Sequence, residues 1–314
     1  MGKAVRYDGG HKRDAFLIDT FGQFVEWVPV CPEVEAGFGT PRPAMRLVSD
    51  DGRLRLLTIG AGADLTAPME RYARRRVAQL DGDDLCGYVL KKGSPSCGLE
   101  RVKVYATNGM PLRTGQGLFA TQLVERFPHL PVEEEGRLAD PRLRDNFIER
   151  VFAYARLRAL FNPRPGSADD RPRKRWTTGD LVRFHTVHKL TVMAHSPQAY
   201  REMGRLVAEA AGTPRADLVE RYTDRFMSAL AIIATPRRHV NVLQHMAGYF
   251  KHRLDAGSKA ELAGAIEDYR NGLVPLIVPI TLLRHHVRVH DVSYLAGQVY
   301  LEPHPKELML RNHV

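Results

Sequence analysis

The sequence predicts an α/β N-terminal domain with a small, mostly parallel sheet over residues 1–135, followed by an all-α C-terminal domain over residues 136–314. Three observations carry this. Apolar runs of strand length alternate with amphipathic helical stretches over the first 130 residues. Helical periodicity is almost unbroken after Asp140-Pro141. The charge is divided as well: residues 1–140 hold 19 Lys+Arg and 19 Asp+Glu, residues 141–314 hold 27 and 17, so the net +10 lies wholly in the second part. Eleven of the 13 histidines lie there too, and 314 residues suffice for two separate cores.

In chain order, Gln23 to Val30 (QFVEWVPV) reads as a buried strand stopped by Cys31-Pro32. Ala67 to Leu80 reads as a helix with Met69, Tyr72, Ala73 and Val77 on one stripe. Leu85 to Leu90 (LCGYVL) is a short apolar strand leading into a loop, and Gly115 to Phe127 a further amphipathic helix. Leu130 to Leu138 (LPVEEEGRL) reads as a polar connector. Asp140-Pro141 then has the form of an N-cap with proline at the first helical position. A helix through Leu143, Phe147, Val151, Tyr154 and Leu157 follows, ending near Asn162-Pro163 before an exposed loop, Arg164 to Arg175. Helices are predicted at 178–194, 197–211, 215–233, 237–254, 258–272 and near 280–290.

Three cysteines exclude a disulfide framework. No apolar run reaches bilayer-spanning length, and MGKAVRYDGGHKRD lacks the apolar core of a signal peptide, so a cytoplasmic protein without membrane contact is expected. Cys31 and Cys97 each follow a predicted strand, where ligands of open α/β sheets gather. The absence of any Cys-x-x-Cys argues against a zinc ribbon or a thioredoxin-type site. Widely spaced cysteines on separate loops suit an iron–sulfur cluster, and equally suit two buried core thiols.

Three blocks narrow the choice: Val5-Arg6-Tyr7-Asp8-Gly9; Cys31-Pro32-Glu33 with Gly37 and Thr40-Pro41-Arg42-Pro43; and Ser94-Pro95-Ser96-Cys97-Gly98. In order and spacing they resemble the signature blocks of the thiouracil desulfidase family. The second half is similar to the YbgA-type domain often fused behind it, through Phe184-His185 with His188-Lys189-Leu190, Asn241 to His245 with Gly248 to Lys251, and Gln298 to Leu301. Together they resemble the fused tRNA 4-thiouridine desulfidases. The resemblance implies a 4Fe–4S cluster held by three cysteines, with Cys31 and Cys97 as ligands. It implies Glu33 as the base that takes a proton from water, Ser94 as a hydrogen-bond donor, and Arg6, Tyr7 and Asp8 at the substrate pocket.

The family carries a Cys-Leu-x-Gly segment just before Val5-Arg6-Tyr7-Asp8-Gly9, and its cysteine is the third ligand. Here only Met1-Gly2-Lys3-Ala4 precedes the block, so the third ligand and the first strand are expected upstream of an internal methionine. Cys86, inside the predicted strand leading to the serine–cysteine loop, reads as core.

In the basic half, Arg173, Lys174 and Arg175 beside Trp176, and Arg237 and Arg238 beside Pro236 at a helix start, are the residues expected to meet RNA phosphates. His185 and His188, one turn apart, read as packing or RNA-contact residues rather than metal ligands, and Phe226 and Tyr249 as core residues rather than base-stacking platforms. The leading expectation is desulfidation of 4-thiouridine in tRNA. The alternatives are a desulfidase of free thiouracil or thionucleotides, and a nucleic-acid-binding protein with a vestigial cluster site.

Overall fold

The computed structural model describes residues 2–162 and 176–314. The chain forms two compact units, Met1–Ala139 and Asp140–Val314.

The first unit contains strands β1 (Met45–Asp50), β2 (Arg53–Thr58), β3 (Tyr88–Leu90), β4 (Val102–Ala106), β5 (Pro111–Gly115) and β6 (Val132–Glu134), with helices α1 (Thr66–Leu80) and α2 (Leu118–Arg126). Four strands form one sheet in the order β2-β1-β4-β5, and β3 and β6 form a second. The expected α/β class is found, but the main sheet is mixed. Only β1 and β4 run parallel in it, while β1–β2 and β4–β5 are antiparallel hairpins. The reason lies in the turns. Asp51 and Gly52 take φ of 46° and 81° between Asp50 and Arg53, the left-handed pair that a two-residue hairpin requires. Asn108-Gly109 turns the second hairpin, with Gly109 at φ 85°.

Helix α1 buries the predicted stripe Met69, Tyr72, Ala73 and Val77, which packs with Phe119, Ala120 and Leu123 of α2 onto Leu47, Leu56, Val102 and Val104 of the sheet. Each fully buried large side chain contributes about 1.5–3 kcal/mol, so this layer is what makes the unit cohere.

Three local expectations are corrected. Gln23 to Val30 is no buried strand: a short turn at Phe21–Gln23 runs into irregular chain with Trp27 and Val28 exposed. Pro29 and Pro32 remove N–H donors that a ladder would need, and Phe21 takes the core position instead. The strand from Leu85 contracts to Tyr88–Leu90, leaving Cys86 half-buried in the preceding loop. The stretch Leu130 to Leu138 is not a polar connector. It carries β6, parallel to β3, and buries Glu133, Glu134 and Glu135.

The second unit is helical: α3 (Pro141–Phe161), α4 (Thr178–His195), α5 (Pro197–Ala208), α6 (Arg215–Ala231), α7 (Pro236–Ala247), α8 (Ala256–Arg270), α9 (Ile277–Val289) and the short α10 (Ser293–Ala296). Asp140 caps α3 as predicted, accepting from Arg142 N and Leu143 N with Pro141 at the first position. Thr177 and Asp180 form a reciprocal capping box on α4, while Ser196 and Thr235 cap α5 and α7 by accepting from Ala199 N and Arg238 N, each followed by proline at the first helical position. One core gathers Leu181, Phe184, Tyr222 and Phe226, and another Leu243, Met246, Phe250, Leu283 and Tyr300. Among the described residues no helix is long and apolar enough to cross a membrane.

Candidate active site

The loop after Val30 and the loop after β3 meet at a carboxylate. Cys31-Pro32 leads into a wide helical turn, Val34–Phe38, and Glu33 stands at its start. Its Oε1 accepts from Ser94 Oγ at 3.1 Å and from Ser96 Oγ at 2.6 Å. Its Oε2 accepts from Arg42 Nε at 2.8 Å and Nη2 at 2.5 Å, a two-pronged contact in which both side chains are largely buried. Arg42 also donates to Gly39 O at 2.9 Å and Val5 O at 3.1 Å, and its own N–H to Tyr7 O at 2.8 Å. One guanidinium thus joins the first two sequence blocks, and two hydroxyls join them to the third.

Cys97 is half-buried beside this carboxylate. Its N–H donates to Ser94 Oγ at 3.2 Å, and Ser96 Oγ lies 3.6 Å from its sulfur. Burial pushes the Cys97 thiol up to about 12, opposed by the Ser96 hydroxyl and reinforced by the charges of Glu33 and Cys31. Cys31 is braced separately: its N–H donates to Glu35 Oε1 at 2.8 Å, and Glu35 Oε2 accepts from Tyr72 OH at 2.6 Å.

The serine–cysteine loop is seated on the start of α2. Leu118 N donates to Pro95 O at 3.2 Å, and Phe119 N and Ala120 N donate to Ser96 O at 3.0 and 3.2 Å. These are the N–H groups a helix start leaves unpaired, here satisfied by the loop backbone. Two glycines permit the fit. A Cβ on Gly117 would lie 2.4 Å from Ser96 O, and one on Gly98 would lie 2.2 Å from Val102 Cγ2.

Of the sequence-predicted residues, Glu33, Ser94 and Cys97 therefore come together through Ser96, while Cys31, two residues before Glu33, bonds to Glu35. Arg6 and Asp8 pair with each other instead, at 2.9 Å and partly exposed, the Arg6 hydrogen bond holding the Asp8 carboxyl below its usual range. The Tyr7 side chain is exposed, although its carbonyl reaches Arg42. Ser96 and Arg42 complete this network, and Glu35 with Tyr72 forms the separate brace on Cys31; the sequence alone assigns none of the four a role at the site. Ser96 and Arg42 stand inside the matched blocks, so position within a block was the available signal.

In the helical unit, Arg173, Lys174 and Arg175 lie outside the described residues. Arg237 is exposed, whereas Arg238 donates to His195 O at 2.7 Å and so completes the end of α4. His188 is buried, stacked on Phe184 at 3.9 Å, and its Nδ1 is 2.8 Å from Phe184 O; His185 meets Tyr222 OH at 3.2 Å. Both are packing residues, and Phe226 is fully buried. Tyr249 departs from expectation: it is exposed, stacked on Tyr294 at 5.1 Å, because it follows the turn of Gly248 out of the core.

Two family models match separate parts of the chain. The family model 2-thiouracil desulfurase matches residues 1–135, and that of DUF1722, a protein family of unknown function, matches residues 189–305. The uncharacterized protein YbgA of Escherichia coli (strain K12) is 32% identical over 172 residues, which are 54% of this chain and 95% of the relative. A solved 4Fe–4S-dependent thiouracil desulfidase, TudS, is 30% identical over 44% of this chain and 87% of its own, at a TM-score of 0.35. The match to the desulfurase model supports a desulfidase activity for the first unit. The chain belongs to the family of YbgA, and its residues 1–135 match the 2-thiouracil desulfurase model.

Proposed function

We propose that this chain removes sulfur from 4-thiouridine in tRNA, leaving uridine and releasing sulfide, with the first unit carrying the chemistry and the basic helical unit holding the RNA. The observation that carries the chemical part is the convergence of Glu33, Ser94, Ser96 and Cys97 within hydrogen-bond reach of one another. The RNA part is supported by the concentration of the whole +10 charge after residue 140, which suits a polyanionic partner.

Cys31 and Cys97 are the thiols that would hold an iron–sulfur cluster. The donor set fits in kind, since both are soft sulfur ligands and neither is bridged to another cysteine. Among the described residues no third His, Cys, Asp or Glu joins them in a group able to hold an ion. When bound, such a cluster supplies a soft Lewis acid suited to a thiocarbonyl sulfur.

The chain's own residues account for the proton movement. Water adds to the ring carbon that bears sulfur, the carbon–sulfur bond breaks, and sulfide leaves, so thiobase and water give oxo base and hydrogen sulfide without change of oxidation state. Glu33 Oε1 takes the proton of the attacking water, and the serine hydroxyls around that oxygen aim it. Arg42 holds Oε2 so that only one oxygen is available to the water. Ser94 and Ser96 alternate between Glu33 and the reacting ring as donors.

Turnover of 4-thiouridine tRNA and of free thiouracil, each measured from 50 to 300 mM salt, tests the reading. The expected result is preference for tRNA with a steep loss of affinity as salt rises, because several phosphate contacts release several counterions. Salt-insensitive turnover of free thiouracil without tRNA binding would assign the chain to the free base.

A further inference from the structure

Three consecutive glutamates outside the scheme above are buried, with Glu134 at 1% and Glu135 at 4% relative exposure. A carboxylate is costly to bury unless donors meet it, so the origin of its donors indicates what the burial serves. For Glu134 they are backbone N–H groups just past Cys97: Oε1 accepts from Leu99 N at 2.8 Å and from Glu100 N at 3.4 Å. For Glu135 they lie at the opposite end of the same loop. Its Oε2 accepts from Lys92 N at 2.7 Å and its Oε1 from Lys91 Nζ. The parallel pairing of β3 with β6 makes this possible, because Leu90, the last residue before the loop, stands opposite Glu134, and Glu135 N donates to Leu90 O at 3.0 Å.

We propose that Glu134 and Glu135 are positioning residues that grip the two ends of the Lys91–Glu100 loop and so set where Ser94, Ser96 and Cys97 stand relative to Glu33. The contacts with α2 hold the middle of the loop by the carbonyls of Pro95 and Ser96. The glutamates hold the N–H groups at its ends, which α2 does not reach. Without them the loop would pivot on α2, and the Ser96 hydroxyl at 2.6 Å from Glu33 would be the first contact to lengthen. The catalytic meaning rests on reading the Glu33–serine–Cys97 cluster as the reaction site, while the grip on the loop does not.

The test uses the full chain and the rate at which iodoacetamide alkylates each cysteine, followed by peptide mass spectrometry. Glu134→Leu keeps side-chain bulk and removes the acceptor. Cys97 is expected to react about tenfold faster, the loss of one buried hydrogen bond to local opening, while Cys86 stays within about twofold. Glu134→Gln retains an acceptor oxygen and should restore the parental rate, and Glu135→Leu should act like Glu134→Leu. An unchanged Cys97 rate overturns the proposal, as does equal acceleration of all three thiols in the Leu and Gln variants alike. If Glu134→Leu does not fold, Glu134→Asp keeps the charge and withdraws the acceptor by one methylene; a faster Cys97 supports the proposal and an unchanged one overturns it. Turnover of a thiolated base is measured alongside. Labelling that responds in a chain without desulfidase activity would sink the reaction reading and keep the clamp. Normal parental turnover with unresponsive labelling would do the reverse.

Discussion

The two units use buried polar groups in opposite ways. In the first, Glu33, Ser94, Ser96 and Cys97 lie on loops between a mixed sheet and its helices, Ser96 fully buried and the others half-buried, and the serine hydroxyls converge on one carboxylate. In the second, buried charged groups pair inside the bundle, although Glu149 Oε1 and Arg311 Nη2 make no hydrogen bond there. Glu149 meets His195 at 3.3 Å and Arg311 at 3.6 Å, and His304 meets Asp145 at 3.1 Å. The contrast teaches that a cluster of titratable side chains is not by itself a site. The difference lies in where the clusters stand: one on loops whose hydroxyls and guanidinium meet at Glu33, the other between the helices of a bundle.

The largest expected effect sharpens that contrast from the first unit. Glu33→Gln should lower desulfidase turnover by about 100- to 10,000-fold, the range a positioned base supplies, with Cys97 labelling unchanged. Arg42→Ala should cost less, about 10- to 100-fold, because it frees Oε2 without removing Oε1. Both are read as steady-state turnover of a thiolated base. Parental turnover in Glu33→Gln would remove the carboxylate from the reaction and dissolve the contrast.

An intermediate effect belongs to the second unit. Burial holds His185 and His188 at about 4 and His239 at about 3, each below the ordinary histidine value. The unfolded chain therefore binds protons near pH 6.5 that the folded unit refuses. These groups' stabilising contribution is present above that pH and is lost as pH falls toward 4, at about 1.4 kcal/mol per pH unit for each group. Glu149, held low by His195 and Arg311 against its own burial, acts in the same direction below the ordinary carboxylate range. Thermal unfolding at 222 nm between pH 7 and 4 should show the helical unit melting first. A pH-independent helical transition would contradict this account of the buried histidines.

The smallest effect separates two neighbouring arginines. Arg237→Ala should weaken tRNA binding and reduce the slope of log affinity against log salt by about 1. Arg238→Ala should instead lower the melting temperature, since its guanidinium serves the His195 carbonyl. Filter binding over a salt series, beside melting curves, distinguishes them. Equal binding losses would place both on the RNA.

Much of this was legible locally. The α1 stripe, the Asp140-Pro141 cap and the boundaries of α3 to α6 follow from periodicity and capping chemistry, which act within one or two turns. The hairpins were less so. Their Asp51-Gly52 and Asn108-Gly109 turns are local signals, but β2 (RLRLLT) alternates charged with apolar residues and is passed over when strands are sought as apolar runs. The buried glutamates were not legible at all. Leu130 to Leu138 has the composition of a solvated connector, and only the pairing of β6 with β3 turns its charges inward onto donors of another loop.

By itself the sequence determined which residues form helices, how charge is divided, and which blocks carry Glu33, Ser94, Cys31 and Cys97, because propensity, capping and charge depend on neighbours in the chain. Only the tertiary structure decided that Ser96 and Arg42 complete the Glu33 site, that Glu134 and Glu135 hold its loop, and that Arg238 faces inward. Each of those outcomes joins residues between 9 and 63 positions apart, or further elements still, and a buried polar group's worth depends on the partner that desolvation forces upon it.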